Sequence, residues 1–190
     1  MKAIAIMNNK GGVGKTITAI SLADILTREY HKRVVVCDCD GQMNLTRFYL
    51  PEFDPETDYT LASILMGEGE AVWTDNLVPI TPELHLLPAS TDLYDLDRQA
   101  IQHGVSAPER MVQLVDAARQ DGETDFFLFD CPPGYTLASV GALLAADEVV
   151  IPMLVDGFSF FGMQALAAQI HGLRRAKHDL KIARSGDAVA

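Results

Sequence analysis

Residues 8–16 read Asn8-Asn9-Lys10-Gly11-Gly12-Val13-Gly14-Lys15-Thr16, and this stretch decides how the rest of the chain is interpreted. It follows a short apolar run at residues 3–7 and precedes an amphipathic segment at residues 17–29. A strand, a glycine-rich turn and a helix in this order are the context that a phosphate-binding loop requires. The glycines permit positive φ or close approach of a ligand, so that successive amides point into one concavity at the positive end of the helix.

Two side chains at the end of this stretch suit phosphate chemistry. Lys15 would place a mobile ammonium on the outer phosphates, and Thr16 would offer its hydroxyl to a phosphate-bound Mg²⁺. The alternative is a glycine-rich turn with two solvated lysines, and the spacing of the three glycines, the lysines and the threonine favours the phosphate loop. The strict form of the pattern has glycine at position 9, whereas this chain has Asn9 followed by Lys10.

The variant K-G-G-x-G-K-T at residues 10–16 resembles the "deviant" Walker A signature of the ParA/MinD family of ATPases. The resemblance implies ATP and Mg²⁺ as cofactors and an ATP-dependent homodimer. Lys10 would be the signature lysine, which reaches the phosphates of the nucleotide in the partner subunit. The nucleotide-binding residues implied by the motif are Lys10, Gly11, Gly12, Val13, Gly14, Lys15, Thr16 and Ile17.

A second motif follows the β-branched run at residues 34–37 and reads Asp38-Cys39-Asp40-Gly41-Gln42-Met43-Asn44. An apolar run that ends in acids is typical of a central parallel strand delivering carboxylates to the carboxyl edge of a sheet. The alternative is a polar strand-to-loop turn. The motif resembles the family's D-x-D-P-Q-x-N, which implies that Asp40 positions or activates the attacking water and that Asp38 lies near Mg²⁺ through water. Gly41 replaces the family's proline, and we expect it to loosen this segment.

A third motif lies at residues 125–134, where a predicted buried strand ends in Asp130 and Cys131-Pro132-Pro133-Gly134 forces a non-helical turn. The arrangement is that of a Walker B strand and resembles the family's D-x-P-P. The resemblance implies that Asp130 holds Mg²⁺ through water and that the turn senses the γ-phosphate. The alternative is an aspartate that simply ends a strand.

Composition fits one α/β domain, because 190 residues with 48% hydrophobic content can bury a substantial core. The net charge of -11 and a pI near 4.7 argue against a globally basic nucleic-acid binder but leave room for a local basic patch. No apolar run has the length of a membrane span, and the N-terminus enters a strand directly, so no signal peptide is expected. Cys37, Cys39 and Cys131 match no metal spacing, which favours reduced cytosolic thiols.

We therefore predict a three-layer α/β/α P-loop NTPase fold with a mostly parallel, doubly wound sheet at residues 1–182, followed by a polar tail at 183–190. Trp73 is expected to pack rather than to act. The further predicted helices are a short capped one ending at Gly67, one at 92–101, one opened by a capping box at 106–109, one at 137–145 and a long one at 159–177. The further predicted strands are 77–80, 84–88 and 148–153.

The C-terminal part leaves several interpretations open. Basic residues cluster there, and in the resembled family such residues bind DNA without sequence preference, although a solvated helix end is an equal alternative. The cluster comprises Arg174, Arg175, Lys177, Lys181 and Arg184. Phe158, Phe160 and Phe161 would pack in the core or line a dimer face. The resemblance ends near residue 182, and we expect a frameshift before the tail, with a natural short paralogue or a deliberate truncation as alternatives.

The function that the resemblance implies is a ParA-type ATPase for plasmid or chromosome partitioning. It would dimerise around two ATP–Mg²⁺ and release DNA and a centromere-binding, ParB-like adaptor on hydrolysis, in the cytoplasm or at the nucleoid. One alternative is a nucleotide-binding scaffold with little turnover. Another is a MinD-like membrane-cycling ATPase, which would need a C-terminal amphipathic helix that the tail does not offer. A nitrogenase-iron-protein-like electron carrier would need cysteines at other positions.

Overall fold

The computed structural model describes residues 1–55, 59–68 and 73–154, and then residues 164, 166–173 and 175. In these parts six strands form one sheet, in the order β3-β4-β2-β5-β1-β6. Neighbouring strands are parallel except for the antiparallel pair β3 and β4 at one edge. The strands are β1 (Lys2–Ile6), β2 (Val34–Asp38), β3 (Val78–Thr81), β4 (Leu84–Leu87), β5 (Phe126–Asp130) and β6 (Glu148–Val150).

Helices cover both faces of this sheet. The α-helices are α1 (Lys15–Arg28), α2 (Asn44–Tyr49), α3 (Leu61–Met66), α4 (Leu96–His103), α5 (Ala107–Asp121) and α6 (Leu137–Ala145). Short 3-10 helices lie at Trp73–Asn76 and Thr91–Tyr94. One apolar core lies between the sheet and α1 and α2, and a larger one lies between the sheet and α3 to α6. The predicted three-layer α/β/α fold is confirmed.

The alternation of side chains along β1 builds both cores at once. Ala3 and Ala5 face the larger core, whereas Ile4 and Ile6 face the core beneath α1. All five residues of β2 are buried. Strands covered on both faces require such continuous apolar runs, so the central part of the sheet could be read directly from the sequence.

Local signals at helix ends were correct in one case and wrong in another. α3 begins with a capping box between Thr60 and Ser63 and ends at Gly67, whose φ is 92°. The predicted capping box at residues 106–109 is wrong, because the Ser106 side chain makes no capping hydrogen bond within the described structure. Ser106 has a ψ of 86° rather than the extended value of a capping serine, and Pro108 removes an amide from the first turn.

Two predicted elements differ in length. The helix expected at 92–101 is divided into the 3-10 helix Thr91–Tyr94 and α4, and Leu93, Leu96 and Ala100 are buried in the larger core. The 3-10 turn closes through Leu93 N to Ser90 O (3.2 Å) and Asp95 N to Asp92 O (3.0 Å). The strand expected at 148–153 ends at Val150.

The predicted long helix at 159–177 is only partly covered by the description. The described residues of this segment, 164, 166–173 and 175, are all helical, and Leu166 and Ile170 pack in the larger core. Phe158, Phe160, Phe161, four of the five clustered basic residues and the tail at 183–190 lie outside the described residues. Within the part of the chain that is described, no helix is both long and apolar enough to cross a bilayer.

Trp73 packs, as predicted, and the three cysteines are buried. The Trp73 ring lies 6.5 Å from that of Phe127, and its indole nitrogen donates to Asp121 Oδ2 at 2.5 Å. All three cysteines are buried, with 3.8 Å between the sulfurs of Cys37 and Cys39. Burial raises the pKa of the Cys37 thiol, and a hydrogen bond with Cys39 together with burial raises the pKa of Cys131. The pKa of Cys39 is also raised, although its hydrogen bond with Cys131 opposes this.

Candidate functional site

The sheet order brings the three sequence motifs to one edge. β5 lies between β1 and β2, and the ladders pair Asp130 with Ile6 on one side and with Asp38 on the other. Because the three strands are parallel, the glycine-rich loop after β1 and the carboxylates that end β2 and β5 emerge side by side. The three motifs therefore lie next to one another at this edge, as the sequence-based interpretation required.

The glycine-rich loop has the backbone conformation that glycine permits at two positions. Gly12 and Gly14 have φ values of 70° and 89°, and Gly14 is the N-cap of α1. In the described structure no side chain caps α1, so its first amides face the loop. At Gly11 φ is not positive, and a Cβ would meet no described atom within 4 Å. The backbone conformation thus favours glycine at positions 12 and 14 but not at 11.

Asn8 holds the loop in place, and Asn9 lies beside an aromatic side chain. Asn8 Oδ1 accepts from the Lys10 amide at 3.0 Å, while Asn8 Nδ2 donates to the carbonyl oxygen of Pro152 at 2.8 Å, beyond β6. The Asn9 side chain lies close to the Tyr135 hydroxyl, whose pKa is raised by burial and lowered in part by Asn9. Sequence reasoning missed these contacts. The only local signal was Asn9 itself, which stands where the strict motif has glycine.

The two lysines of the loop lie in different environments. Lys15 is buried, with 8% of its surface exposed, and its ammonium donates to the carbonyl oxygen of Lys10 at 3.2 Å. The Lys10 side chain is exposed. Ile17, in the first turn of α1, is also exposed. The loop therefore keeps one cation inside its concavity and presents the other at the surface.

Asp130 ends β5 with a buried carboxylate that is only partly satisfied. The Thr16 side chain lies beside it, and Oδ1 has no hydrogen-bond partner among the described residues. Burial raises the pKa of Asp130 to about 7, and the charges of Asp38 and Asp40 add to this rise, while Thr16 and Lys15 oppose it. An unpartnered buried carboxylate oxygen is costly, and its presence indicates a site that a cation completes.

Asp38 ends β2 with its oxygens already engaged. Oδ2 accepts from the amide and the hydroxyl of Thr46, at 2.8 and 2.7 Å, and Oδ1 accepts from the Asp40 amide at 3.1 Å. Burial raises the pKa of Asp38 to about 6 in spite of these bonds. The Thr46 hydroxyl in turn accepts from the Ala89 amide at 2.9 Å. Asp38 thus joins the ends of β2 and β4 and the start of α2.

Asp40 lies in the loop after β2, where it is half-buried. Its Oδ1 accepts from the Gln42 amide at 2.9 Å. It lines a cavity of about 300 Å³ between this loop and the turn after β5, together with Gly41, Tyr94, Asp97, Pro133 and Thr136. This cavity gives solvent a route to the carboxylate.

These groups fit a magnesium-bound phosphate. No cluster of three or more His, Cys, Asp or Glu side chains within the described ranges forms a complete metal cage. Mg²⁺ does not need such a cage, because it retains several waters and binds through one or two carboxylates and phosphate oxygens. The Thr16 hydroxyl and the unpartnered oxygen of Asp130 are oxygen atoms of the type that Mg²⁺ binds, and they lie beside Lys15 and the loop amides.

Comparison with known proteins is consistent with this arrangement. A family described as "AAA domain" matches residues 1–182. The chain is 35% identical over 178 residues to the chromosome partitioning protein ParA of Caulobacter vibrioides, and the match covers 92% of this chain and 64% of that protein. The chain therefore spans just under two thirds of the length of that relative.

Two further matches cover more of the other protein. A ParA family protein of Chlamydia pneumoniae is 32% identical over 182 residues, which are 96% of this chain and 69% of that protein. The solved structure of cobyrinic acid a,c-diamide synthase from Mycobacterium smegmatis, with bound ADP and magnesium, superposes with a TM-score of 0.79 at 27% identity, covering 92% of this chain and 69% of that one. Together with the motifs at the sheet edge, these matches establish that the chain belongs to the ParA family of AAA-domain proteins.

Proposed function

We propose that this chain is a magnesium-dependent ATPase of the ParA type that serves plasmid or chromosome partitioning. The observation that carries the proposal is the meeting of the glycine loop, Lys15 and the unpartnered oxygen of Asp130 at one sheet edge. The cobyrinic acid a,c-diamide synthase structure contains ADP and magnesium, which supports the same type of ligand here. The reaction would convert ATP and water to ADP and phosphate, slowly unless partners stimulate it.

Each residue of the site has a role in this proposal. The backbone amides from Gly11 to Ile17 and the Lys15 ammonium would hold the phosphates. Thr16 and Asp130 would hold Mg²⁺, which when bound neutralises charge on the phosphate oxygens. Asp38 would act on the metal only through water, because its oxygens already accept three hydrogen bonds. Asp40 would orient the attacking water.

Lys10 is proposed to act across a homodimer. Its exposed side chain extends from a backbone fixed by Asn8, so that it can reach the nucleotide of a second subunit. The dimer would form around two ATP–Mg²⁺, and hydrolysis would release DNA and a ParB-like adaptor. We place the protein in the cytoplasm, at the nucleoid when it binds DNA, without stable membrane association.

Nucleotide titration separates the two lysines. Lys15→Ala is expected to abolish binding of a non-hydrolysable ATP analogue with Mg²⁺, measured by calorimetry, because it removes the cation inside the concavity. Lys10→Ala should bind the analogue like the parent but dimerise less in sedimentation. Equal dimerisation of Lys10→Ala and the parent would contradict the role across the dimer, and a flat titration of the parent would contradict the nucleotide site.

Turnover distinguishes an enzyme from a binding module. The parent should hydrolyse ATP faster than Asp40→Ala, and DNA or an adaptor should raise its rate further. If the parent binds ATP–Mg²⁺ but hydrolyses it no faster than Asp40→Ala in the presence of DNA, the protein is a nucleotide-binding scaffold instead.

A further inference from the structure

The residue after Asp40 is in close contact with an aromatic ring. A Cβ built on Gly41 would lie 3.1 Å from Cε1, Cε2 and Cζ of Tyr94. Such a distance is tighter than ordinary van der Waals contact. Gly41 does not have a positive φ, so its backbone conformation does not call for glycine. A side chain at this position would displace the ring by a few tenths of an ångström.

The contact covers Gly41 on one side. Gly41 is buried, whereas the ring that covers it belongs to a residue with 64% of its surface exposed. Tyr94 and Gly41 also line the cavity beside Asp40. The expectation that Gly41 loosens the segment is therefore opposed by the packing of Tyr94 against it.

The backbone on both sides of Tyr94 is fixed by contacts with other elements. Leu93 is buried in the larger core, and the 3-10 turn closes on Ser90, whose hydroxyl is hydrogen-bonded to Thr60 at 3.2 Å. On the other side, Asp97 Oδ1 accepts from the Leu137 amide at 2.9 Å, at the start of α6. The backbone that carries Tyr94 is thus fixed between the end of β4 and the helix that follows the Pro132-Pro133 turn.

The backbone beneath the ring carries the proposed water-orienting acid. The Asp40 amide donates to Asp38, and the Met43 amide donates to the Asp40 carbonyl oxygen at 2.9 Å. Asp40 Oδ1 accepts from the Gln42 amide. Gly41 lies in the middle of these bonds, and as a glycine it has the greatest freedom to rotate its peptide planes.

We propose that Tyr94 is a positioning residue for the proposed ATPase reaction, because its ring clamps Gly41 and so fixes the segment that presents Asp40. The proposal rests on the proposed function. It assigns to Gly41 and Tyr94 together the restraint that a proline at position 41 would otherwise provide. A ring at this position acts on the orientation of Asp40 and not on the phosphate loop.

The first test compares the turnover number with the Michaelis constant. Tyr94→Ala should lower kcat by about tenfold and change KM for ATP by less than about twofold, because orientation is lost while the phosphate loop is unchanged. Tyr94→Phe keeps the ring and should retain the parent's kcat. Tyr30→Ala is the matched control, because Tyr30 is similarly exposed (62%) and lies at the end of α1, away from this loop. Unchanged kcat in Tyr94→Ala would overturn the proposal.

A double-mutant cycle tests the contact itself. Gly41→Ala introduces a Cβ against the ring and should lower kcat in the parent background, but it should have little further effect in Tyr94→Ala. Additive effects would overturn the clamp. Thermal unfolding of each variant separates a loss of positioning from a loss of fold.

Hydrogen–deuterium exchange makes the inference testable even if turnover is absent. Amides in the peptide spanning residues 39–43 should exchange at least about fivefold faster in Tyr94→Ala than in the parent and Tyr30→Ala. A parent without ATP hydrolysis but with this change in exchange would refute the proposed function and leave the clamp standing. A parent that hydrolyses ATP and shows neither change in Tyr94→Ala would refute the clamp alone.

Discussion

The ends of β2 and β5 carry the same residue type at the same level of the sheet, yet their environments differ. Asp38 and Asp130 are ladder partners, and both carboxylates are buried. The oxygens of Asp38 accept three hydrogen bonds, from Thr46 and the Asp40 amide. Asp130 lies beside Thr16, and its Oδ1 has no partner in the described part of the chain.

This difference distinguishes an aspartate that organises the protein from one that is available to a ligand. A saturated carboxylate adds little to a metal but holds several elements together, whereas an unsaturated one makes the ligand-free protein less stable and gains when a cation arrives. Burial raises the pKa of both groups, to about 6 for Asp38 and about 7 for Asp130. The pKa alone would not have distinguished them, and the hydrogen bonds do.

The largest expected effect comes from removing the two carboxylates in turn. Asp38→Ala and Asp130→Ala each remove a buried charge, but Asp38→Ala also leaves the Thr46 amide, the Thr46 hydroxyl and the Asp40 amide without their acceptor. We expect the free energy of unfolding of Asp38→Ala to be lower than that of Asp130→Ala by about 3 kcal/mol, measured by urea denaturation without Mg²⁺ or nucleotide. Equal stabilities would show that the difference in hydrogen bonding between Asp38 and Asp130 does not affect the free energy of unfolding.

A smaller effect concerns the pH dependence of stability. Asp130 has its pKa raised in the folded state, so the fold binds more protons than the unfolded chain between the unfolded pKa of 3.8 and about 7. The stabilisation that Asp130 contributes is fully present below pH 3.8 and is lost as the pH rises through about 7. The free energy of unfolding of Asp130→Asn, relative to that of the parent, should therefore rise by about 2 kcal/mol between pH 5 and pH 8. Denaturant titrations without Mg²⁺ measure this difference.

The matched control is Thr46→Val, which alters the environment of Asp38 and leaves Asp130 intact. The part of the pH dependence of its free energy of unfolding that comes from Asp130 should be the same as in the parent over this range. A parent and an Asp130→Asn variant with parallel stability profiles between pH 5 and pH 8 would contradict the raised pKa of Asp130.

The smallest effect concerns binding. Because Mg²⁺ requires the ionised carboxylate, the Mg²⁺-dependent part of the affinity for an ATP analogue should weaken by about tenfold when the pH falls from 8 to 6. Asp130→Asn corrects for the titration of the nucleotide itself and should show only that remaining dependence. Calorimetry at both pH values measures the difference. Identical pH dependence in parent and variant would argue against Asp130 as the metal ligand.

The sequence predicted the parts of the molecule that local patterns encode. The strand–loop–helix unit around Lys15 and the buried strand ending in Asp130 were predicted because burial on both faces and glycine-rich turns leave a local signature. The division of the helix near Asp95 and the failed cap at Ser106 were not, since both depend on backbone angles that residue type does not determine.

The remainder of the site depends on contacts between distant parts of the chain. Thr46 saturates Asp38, Tyr135 reaches Asn9, and Tyr94 packs on Gly41. None of these partners belongs to a motif, and no periodicity marks them. The antiparallel pairing of β3 with β4 at the sheet edge was likewise beyond local reasoning, because either edge strand could run in either direction. The proposed roles of Lys10 and Asp40 stay predictions.

The burial of the three cysteines has a practical consequence for labelling. A thiol reacts with maleimides as the thiolate, and Cys37, Cys39 and Cys131 are all enclosed and have raised pKa values. The unmodified protein should therefore resist such reagents near neutral pH. A single Ile101→Cys substitution, at a position that is 79% exposed on α4, would then carry one fluorophore without removal of any native cysteine.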